Sequence, residues 1–392
     1  MAEESGLTPL SNASWNGHVD VVRLLLANGA DLAVTDKLGL TPLSGASWKG
    51  HPDVVKLLLA NGADLAVADE VGWTPLSRAS RNGYLDVVKL LLEKGAKLTV
   101  TDKDGSTLVY AASRGGHLVL IKFLLAKGNS LTVANELGQT PLDEAAYYGR
   151  LDVVKFLHGN GANLTVTDKD GSTPVHAASK RGHVDVVGFL LGNGADLIVT
   201  DNAGSTQLHE ASHSGHANVD KLLLDKGASI QTKDTKYGRT PLSFATERER
   251  EGVVQLLLQH GADPESTDHI NLTPLFDAAR CGNQSICRQL LAKNVNVESR
   301  DRYGSTPLSI ATRHGHHEIV ALLLEKVDLD INSEDCFGRT TLSWTSNAAT
   351  ERVLLDNAAK RGVQLRKSAR HFTTYSYSEY RSVWESWAWC GA

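Results

Sequence analysis

In the stretch GLTPLSGASWKGHPDVVKLLLANGADLAVADEV, which begins at Gly39, polar and small residues lead. A near-continuous apolar run follows: Val54, Val55, Leu57, Leu58 and Leu59. Thr41 before Pro42 predicts a helix start, the hydroxyl capping free amides while proline sits in the first turn, where its missing N–H costs nothing. That short helix runs through Trp48. Gly50 can take a positive φ and end it, and His51 with Asp53 opens a second helix whose apolar run predicts packing between neighbours. Asn61-Gly62 stops this helix. Asp64-Leu65-Ala66-Val67 then alternates polar with apolar, which predicts an extended finger closed by a β-turn before Gly72.

This pattern recurs with the phrase G-x-T-P-L at its head. It opens at Gly6, returns at Gly39 and Gly72, and continues at Gly105, Gly138, Gly171 and Gly204 in steps of 33 residues. One extra residue shifts it to Gly238, Asn271 and Gly304, and a second slip leads to Gly338. A fixed period of this size marks a solenoid, in which each repeat stacks on its neighbours and cannot bury its apolar face alone. The expectation is one all-α array of about eleven helix-turn-helix repeats over residues 3–365, with β-turn fingers. The column Leu24, Leu57, Leu90, Phe123, Phe156, Phe189, Leu222, Leu256, Leu290 and Leu322 is expected to be core.

T-P-L-S recurs from Thr8, Thr41, Thr74, Thr240 and Thr306, with T-P-V-H at Thr173. G-H-x-D-V-V stands at Gly17, Gly50 and Gly182, and G-A-D at Gly29, Gly62, Gly194 and Gly261. These residues resemble the ankyrin repeat, and the T-P-L-S wording is similar to arrays common in fungal proteins, including those attached to nucleotide-binding receptor modules; no such module is present in this sequence. The finger position at which that family carries asparagine holds Ala33, Ala66, Thr99, Thr132, Thr165 and Ile198. Within Thr246-Glu247-Arg248-Glu249-Arg250-Glu251 the helix-turn glycine is missing, so residues 232–252 read either as a hinge or binding loop or as a tolerated irregularity with a solvated mixed-charge helix.

The resemblance implies a groove formed by the fingertips and the exposed face of the first helices, with specificity in residues that differ between repeats. The two places before the turn glycine run from Trp15 and Trp48 through Arg81, Arg114, Tyr147-Tyr148 and Lys180-Arg181 to Arg280 and Arg313. Trp and Arg carry disproportionate energy in interfaces, being large or planar groups that a partner can desolvate. Trp15, Trp48, Trp73, Tyr147 and Tyr148 are therefore the leading contact residues. Arg81, Arg114, Lys180, Arg181, Arg280 and Arg313 favour an acidic partner surface. The opposing reading is that the rings cover neighbouring helices and the cations supply solubility.

Composition narrows the function. The net charge of −5 and a pI near 6.3, without stacking aromatics interleaved on the basic strip, argue against nucleic acid. The start MAEESGLTPL has no signal-peptide pattern, and no stretch reaches the roughly 20 apolar residues of a membrane helix. A monomer in the cytoplasm or nucleus is expected. Cys281, Cys287, Cys336 and Cys390 form no C-x-x-C pair and are expected to be reduced thiols. His209, His213 and His216, and His314, His316 and His317, invite a metal reading, but His216 and His316 fill the recurring turn position and His209 the tetrapeptide histidine, so they read as structural. No nucleophile elbow accompanies the serines and no acid pair stands out, so no catalytic residue, cofactor or metal is assigned. The function expected is a non-catalytic scaffold or adaptor holding another protein. The alternatives are a groove hosting a small-molecule or catalytic site, and nucleic-acid binding.

Two ends stand apart. Residues 366–392 pack Trp and Tyr into a tail in which Tyr377, Tyr380, Trp384 and Trp387 would share one helix face, either capping the stack, docking into a partner's groove or remaining loosely ordered. The first repeat carries no polar capping variant: Val21, Val22, Leu24, Leu25 and Leu26 are as apolar as any interior repeat. That end is expected to be exposed, covered by an upstream partner or derived from a longer ancestor.

Overall fold

Each T-P-L turn opens a helix in the computed structural model, which describes residues 7–326, 329–345 and 347–367. Thr41 is extended (φ −77°, ψ 164°), and its Oγ1 accepts the Ser44 amide at 3.1 Å, so the helix Pro42–Lys49 begins with a satisfied donor. Gly50 at φ 74° ends it, and Pro52–Ala60 follows. Ten such pairs run from Pro9 to Leu324. In the eleventh, Thr341 replaces the proline and the first helix shrinks to a single 3-10 turn, Thr341–Trp344, before a longer helix, Ala348–Arg361. Among the described residues there is no strand, only one isolated bridge between Glu334 and Thr340, so the predicted fingers are turns without sheet. The chain divides into two compact blocks at residues 236 and 237, seven pairs in the first and the remainder in the second.

The short first helices are the sandwiched ones. Pro42–Lys49 lies between Pro9–Trp15 and Pro75–Arg81, and all six residues from Pro42 to Ser47 are buried. The second helices bury one stripe, Val54, Val55 and Leu58 in Pro52–Ala60, and leave the opposite side to solvent. This corrects the expected core column. Leu24 is 64% exposed, and Leu57, Leu90, Phe123, Phe156, Phe189, Leu222 and Leu256 are half-buried. At about 100° per residue Leu57 lies some 200° round the helix from Val55, on its flank. There Lys89 Nζ covers the Phe123 ring at 5.9 Å, and Lys122 Nζ covers Phe156 at 5.4 Å. Leu290 is fully buried because it belongs to the next column, beside Gln289, which holds the flank position. Leu322, near the end of the array, is 6% exposed.

What links repeat to repeat is a ring at the turn. His51 Nε2 donates to the Trp15 carbonyl at 3.0 Å, His117 to Arg81 at 2.9 Å, His183 to Tyr147 at 3.0 Å and His216 to Lys180 at 3.1 Å. Arg150 Nε does the same for Arg114 at 3.0 Å, and in the second block His316 reaches Arg280 at 2.9 Å. Where Tyr84 replaces the histidine, Asn82 Nδ2 donates to Trp48 instead, at 3.1 Å. The turn glycine makes room for the ring: a Cβ on Gly83 would stand 2.3 Å from His117 Nδ1. His209 Nδ1 closes a capping box with Thr206, and His314 stacks on His316 with ring centroids 6.1 Å apart. Among the described residues no group of three or more His, Cys, Asp or Glu could hold a metal.

The irregular repeat keeps its turn. Glu249 takes the left-handed conformation (φ 56°) that glycine holds elsewhere, and the Glu249 and Arg250 amides bond to Thr246 and Ala245 as Gly83 and Tyr84 bond to Ser80 and Ala79. The preceding insertion is absorbed in the finger, where the Thr235 and Lys236 amides share the Ala203 carbonyl. In the first repeat Val21 is 47% exposed, whereas its counterpart Val54 is buried. No helix among the described residues is long and apolar enough to cross a membrane. Tyr377, Tyr380, Trp384 and Trp387 lie outside the described residues.

One core position breaks the pattern. Asp220 stands where the other repeats of its block place Val22, Val55, Val88, Ile121, Val154 and Val187, and it is fully buried. Its Oδ1 accepts from the Ser212 hydroxyl at 2.9 Å, its Oδ2 has no hydrogen bond, and burial pushes its carboxyl up to about 7.

Two stability predictions follow from this packing. A carboxyl raised in the folded state binds its proton more tightly there than in the unfolded chain. Its contribution is therefore fully present below the unfolded value near 4 and is lost as pH rises through about 7. Urea unfolding should show stability falling by roughly 2–3 kcal/mol between pH 5 and 8 on account of this group, and Asp220→Val should remove that fall. Glu249→Gly should raise stability by about 1 kcal/mol in the same assay, since it relieves a left-handed non-glycine residue.

Candidate binding groove

Near the ends of the first helices, Trp15, Trp48, Arg81, Arg114, Tyr147, Lys180 and Arg280 have their carbonyls held by the next repeat. This is the column picked out from sequence, and the structure brings most of its first-block members into contact. Trp15 and Trp48 meet edge to face, centroids 5.2 Å apart at 68°, with Lys49 Nζ 4.7 Å from the Trp15 ring. Arg78 lies between Trp48 (4.0 Å from Cζ to centroid) and Trp73 (4.6 Å), and Arg81 covers Trp73 at 4.5 Å. The Trp73 indole donates to Asp102 Oδ2 at 2.9 Å.

Further along the block, Tyr147 and Tyr148 form a second edge-to-face pair, 5.0 Å apart, under Arg181 (4.4 Å from Tyr147) and Arg114 (4.8 Å from Tyr148). Arg114 Nε also stands 3.5 Å from Glu144 Oε1, whose other oxygen accepts from the Tyr110 hydroxyl at 2.8 Å. Lys180 Nζ is 3.5 Å from Glu210. In the second block Arg280 is 3.0 Å from Asp277 and 3.7 Å from Glu247, and Arg313 covers Trp344 at 4.6 Å. The basic residues expected to face an acidic partner are thus each engaged within the chain.

Sequence reasoning missed the column one turn earlier in the first helices: Gly45, Arg78, Ala111, Glu144, Ala177 and Glu210, then Phe244, Asp277, Ile310 and Trp344. It changes strongly from repeat to repeat, and that variability is the available signal. Its members set the local charge. Arg78, 6% exposed, is bound through Nε (2.7 Å) and Nη2 to Asp69 Oδ2. In the second block the buried Arg239 sits among Glu247, Asp268 at 3.6 Å and Asp277 at 3.9 Å.

Two adjoining hollows open between fingers and first helices in the first block, of about 310 and 380 Å³. They share Gln139, Tyr147, Asp168, Ser172 and Ala177. Asp143, in the capping box of Thr140, is pushed up to about 6 by burial against hydrogen bonds that oppose the shift. Burial likewise raises Glu144 and Glu210 and lowers His176, which bonds Thr173 and the Ser205 carbonyl. Arg81 is lowered by burial first and then by the neighbouring Arg114 and Arg78. The serines of T-P-L-S are spent on caps: Ser44 is buried with its hydroxyl 3.1 Å from Thr41 Oγ1, which is no setting for a nucleophile.

Comparison with curated proteins gives no match. The family model described as "Ankyrin repeats (3 copies)" matches five overlapping stretches, residues 10–102, 76–168, 145–234, 200–268 and 249–335. Those matches cover most of the chain, their capped first helices and glycine turns are the ones described above, and the protein belongs to the ankyrin-repeat family.

Proposed function

We propose that this chain is a non-catalytic scaffold or adaptor that holds a partner protein in the groove between its fingers and first helices. Ankyrin repeats are in general protein–protein interaction modules and typically carry no catalytic activity. The observation that carries the reading here is the row of half-buried rings Trp15, Trp48 and Trp73, with the buried Arg78 stacked between the last two and the half-buried Arg81 on Trp73, presented by three successive repeats. Such groups, rigid and only partly covered, give large contact area for little loss of side-chain freedom. The neighbouring Tyr147 and Tyr148 extend the row, and Arg114, Lys180 and Arg181 frame it. Arg280 and Arg313 belong to the corresponding surface of the second block. Arg114, Lys180 and Arg280 are paired within the chain with Glu144, Glu210, Asp277 and Glu247, whereas Arg81 and Arg181 stack on rings, which does not neutralise their charge, so an acidic partner surface fits this face. The protein would act as a monomer in the cytoplasm or nucleus.

Replacing Trp15 and Trp48 together with alanine should lower capture of the native partner from cell extract by about tenfold or more. The thermal midpoint should fall by only a few degrees, on the order of 1 kcal/mol of lost ring contacts. A collapsed midpoint with capture retained would show that the rings only pack.

A further inference from the structure

The array contains its own template for a ligand. In the repeat that begins at Thr74, the Arg78 guanidinium is seated on Asp69 Oδ2 and faces Trp48 and Trp73. Adding 99 residues, three periods of 33, to each of these positions gives Ala177, Asp168, Tyr147 and Ser172, and adding it to Asp102 gives Asp201. All five line the hollow of about 380 Å³. One of the two rings is kept as Tyr147 while the other has become Ser172, and the carboxylates remain while the arginine has become a methyl group.

The carboxylates at this place are unused. Asp168 spends Oδ1 on the amides of Asp170 and Ser172, and Asp201 spends Oδ1 on those of Ala203 and Ser205; neither Oδ2 makes a hydrogen bond or ion pair among the described residues. The other small residue of this column in the middle of the block, Ala111, offers no such place, because Trp73 already donates to Asp102 Oδ2. Gln139, the counterpart of Trp73 one step before the hollow, bonds Tyr110 and Asn135 and leaves Asp168 alone. The charges facing the hollow are Asp168, Asp170, Asp201 and Glu210 against Lys180, whose ammonium is 3.5 Å from Glu210, while His176 is held toward its neutral form by burial. Four carboxylates against one cation leave an excess of three negative charges. Arg181 covers one face of Tyr147 from the rim.

We propose that the hollow bounded by Tyr147, Asp168 and Ala177 receives a guanidinium supplied in trans, an arginine side chain of the partner that takes the place Arg78 fills in cis three repeats earlier. The assignment rests on the groove reading above and gives it a chemistry. A planar fork can offer two parallel N–H groups to its acceptors while its face lies flat on a ring, a combination that a compact lysine ammonium does not match.

The test uses the full chain labelled with ¹³C at alanine methyls, and N-acetyl-arginine amide as the probe. The Ala177 methyl should move saturably. N-acetyl-citrulline amide, which keeps the shape and loses the charge, should bind at least about tenfold more weakly, as expected for loss of a charge-assisted pair. Asp168→Asn should weaken the arginine probe to a similar degree, and its fold is safe because Asn135 already makes the same finger turn through its Oδ1. Ala177→Arg should abolish binding by filling the hollow from within. Arg78→Ala should create a second site, reported by the Trp73 indole N–H. An unmoved Ala177 methyl, equal binding of the citrulline compound, or undiminished binding by Asp168→Asn would overturn the assignment. If the Trp15 and Trp48 variant loses its partner while any of these results is found, docking in the groove stands and only the guanidinium is wrong.

Discussion

A helix of seven or eight residues leaves as many carbonyls unpaired as it pairs, so an array of such helices depends on what meets their C-terminal ends. Here the next repeat supplies a ring nitrogen or a guanidinium. The residues whose carbonyls are held in this way, Trp15, Arg81, Arg114, Tyr147 and Lys180 in the first block and Arg280 in the second, are the residues whose side chains make the ring and ion-pair contacts within each block. One bond therefore joins neighbouring repeats and fixes the backbone from which each of these side chains departs. The turn glycine is the other half of the device, since it alone admits both the left-handed turn and the ring of the following repeat.

On this fixed frame, two columns vary from repeat to repeat. The helix-end column carries rings and cations at the surface. The column one turn earlier decides whether the finger carboxylate beside it is neutralised, as Asp69 is by Arg78, or left open, as Asp168 is beside Ala177. The finger carboxylates thus differ along the first block, Asp69 and Asp102 being engaged and Oδ2 of Asp168 and Asp201 open, on the same backbone turn.

Much of this was legible in the sequence because it is local. Thr-Pro, the turn glycines and the recurring histidine each act through bonds within a few residues or at a constant offset, and the helix starts and stops stand where those residues put them. The burial of the second helix was less legible. Its apolar run looks core-facing all round, but only one stripe meets the first helices, and Leu57 and its counterparts fall on the flank. Leu290 was set in the wrong column because a residue count through a polar helix has no apolar landmark to correct it. Glu249 reads as a missing turn residue, yet tertiary packing imposes the left-handed turn on it. Arg78 was passed over because a charged residue in the middle of a buried helix has no local mark of the carboxylate nine residues before it.

The constant offset of the clamp has an evolutionary corollary. Unequal crossing-over between two repeats adds or deletes a whole period and still leaves every ring opposite a carbonyl, so the stack survives. What changes is the order of filled and open carboxylates along the surface. A genome that shuffles such repeats can therefore rearrange this surface in one recombination event without first having to rebuild a fold.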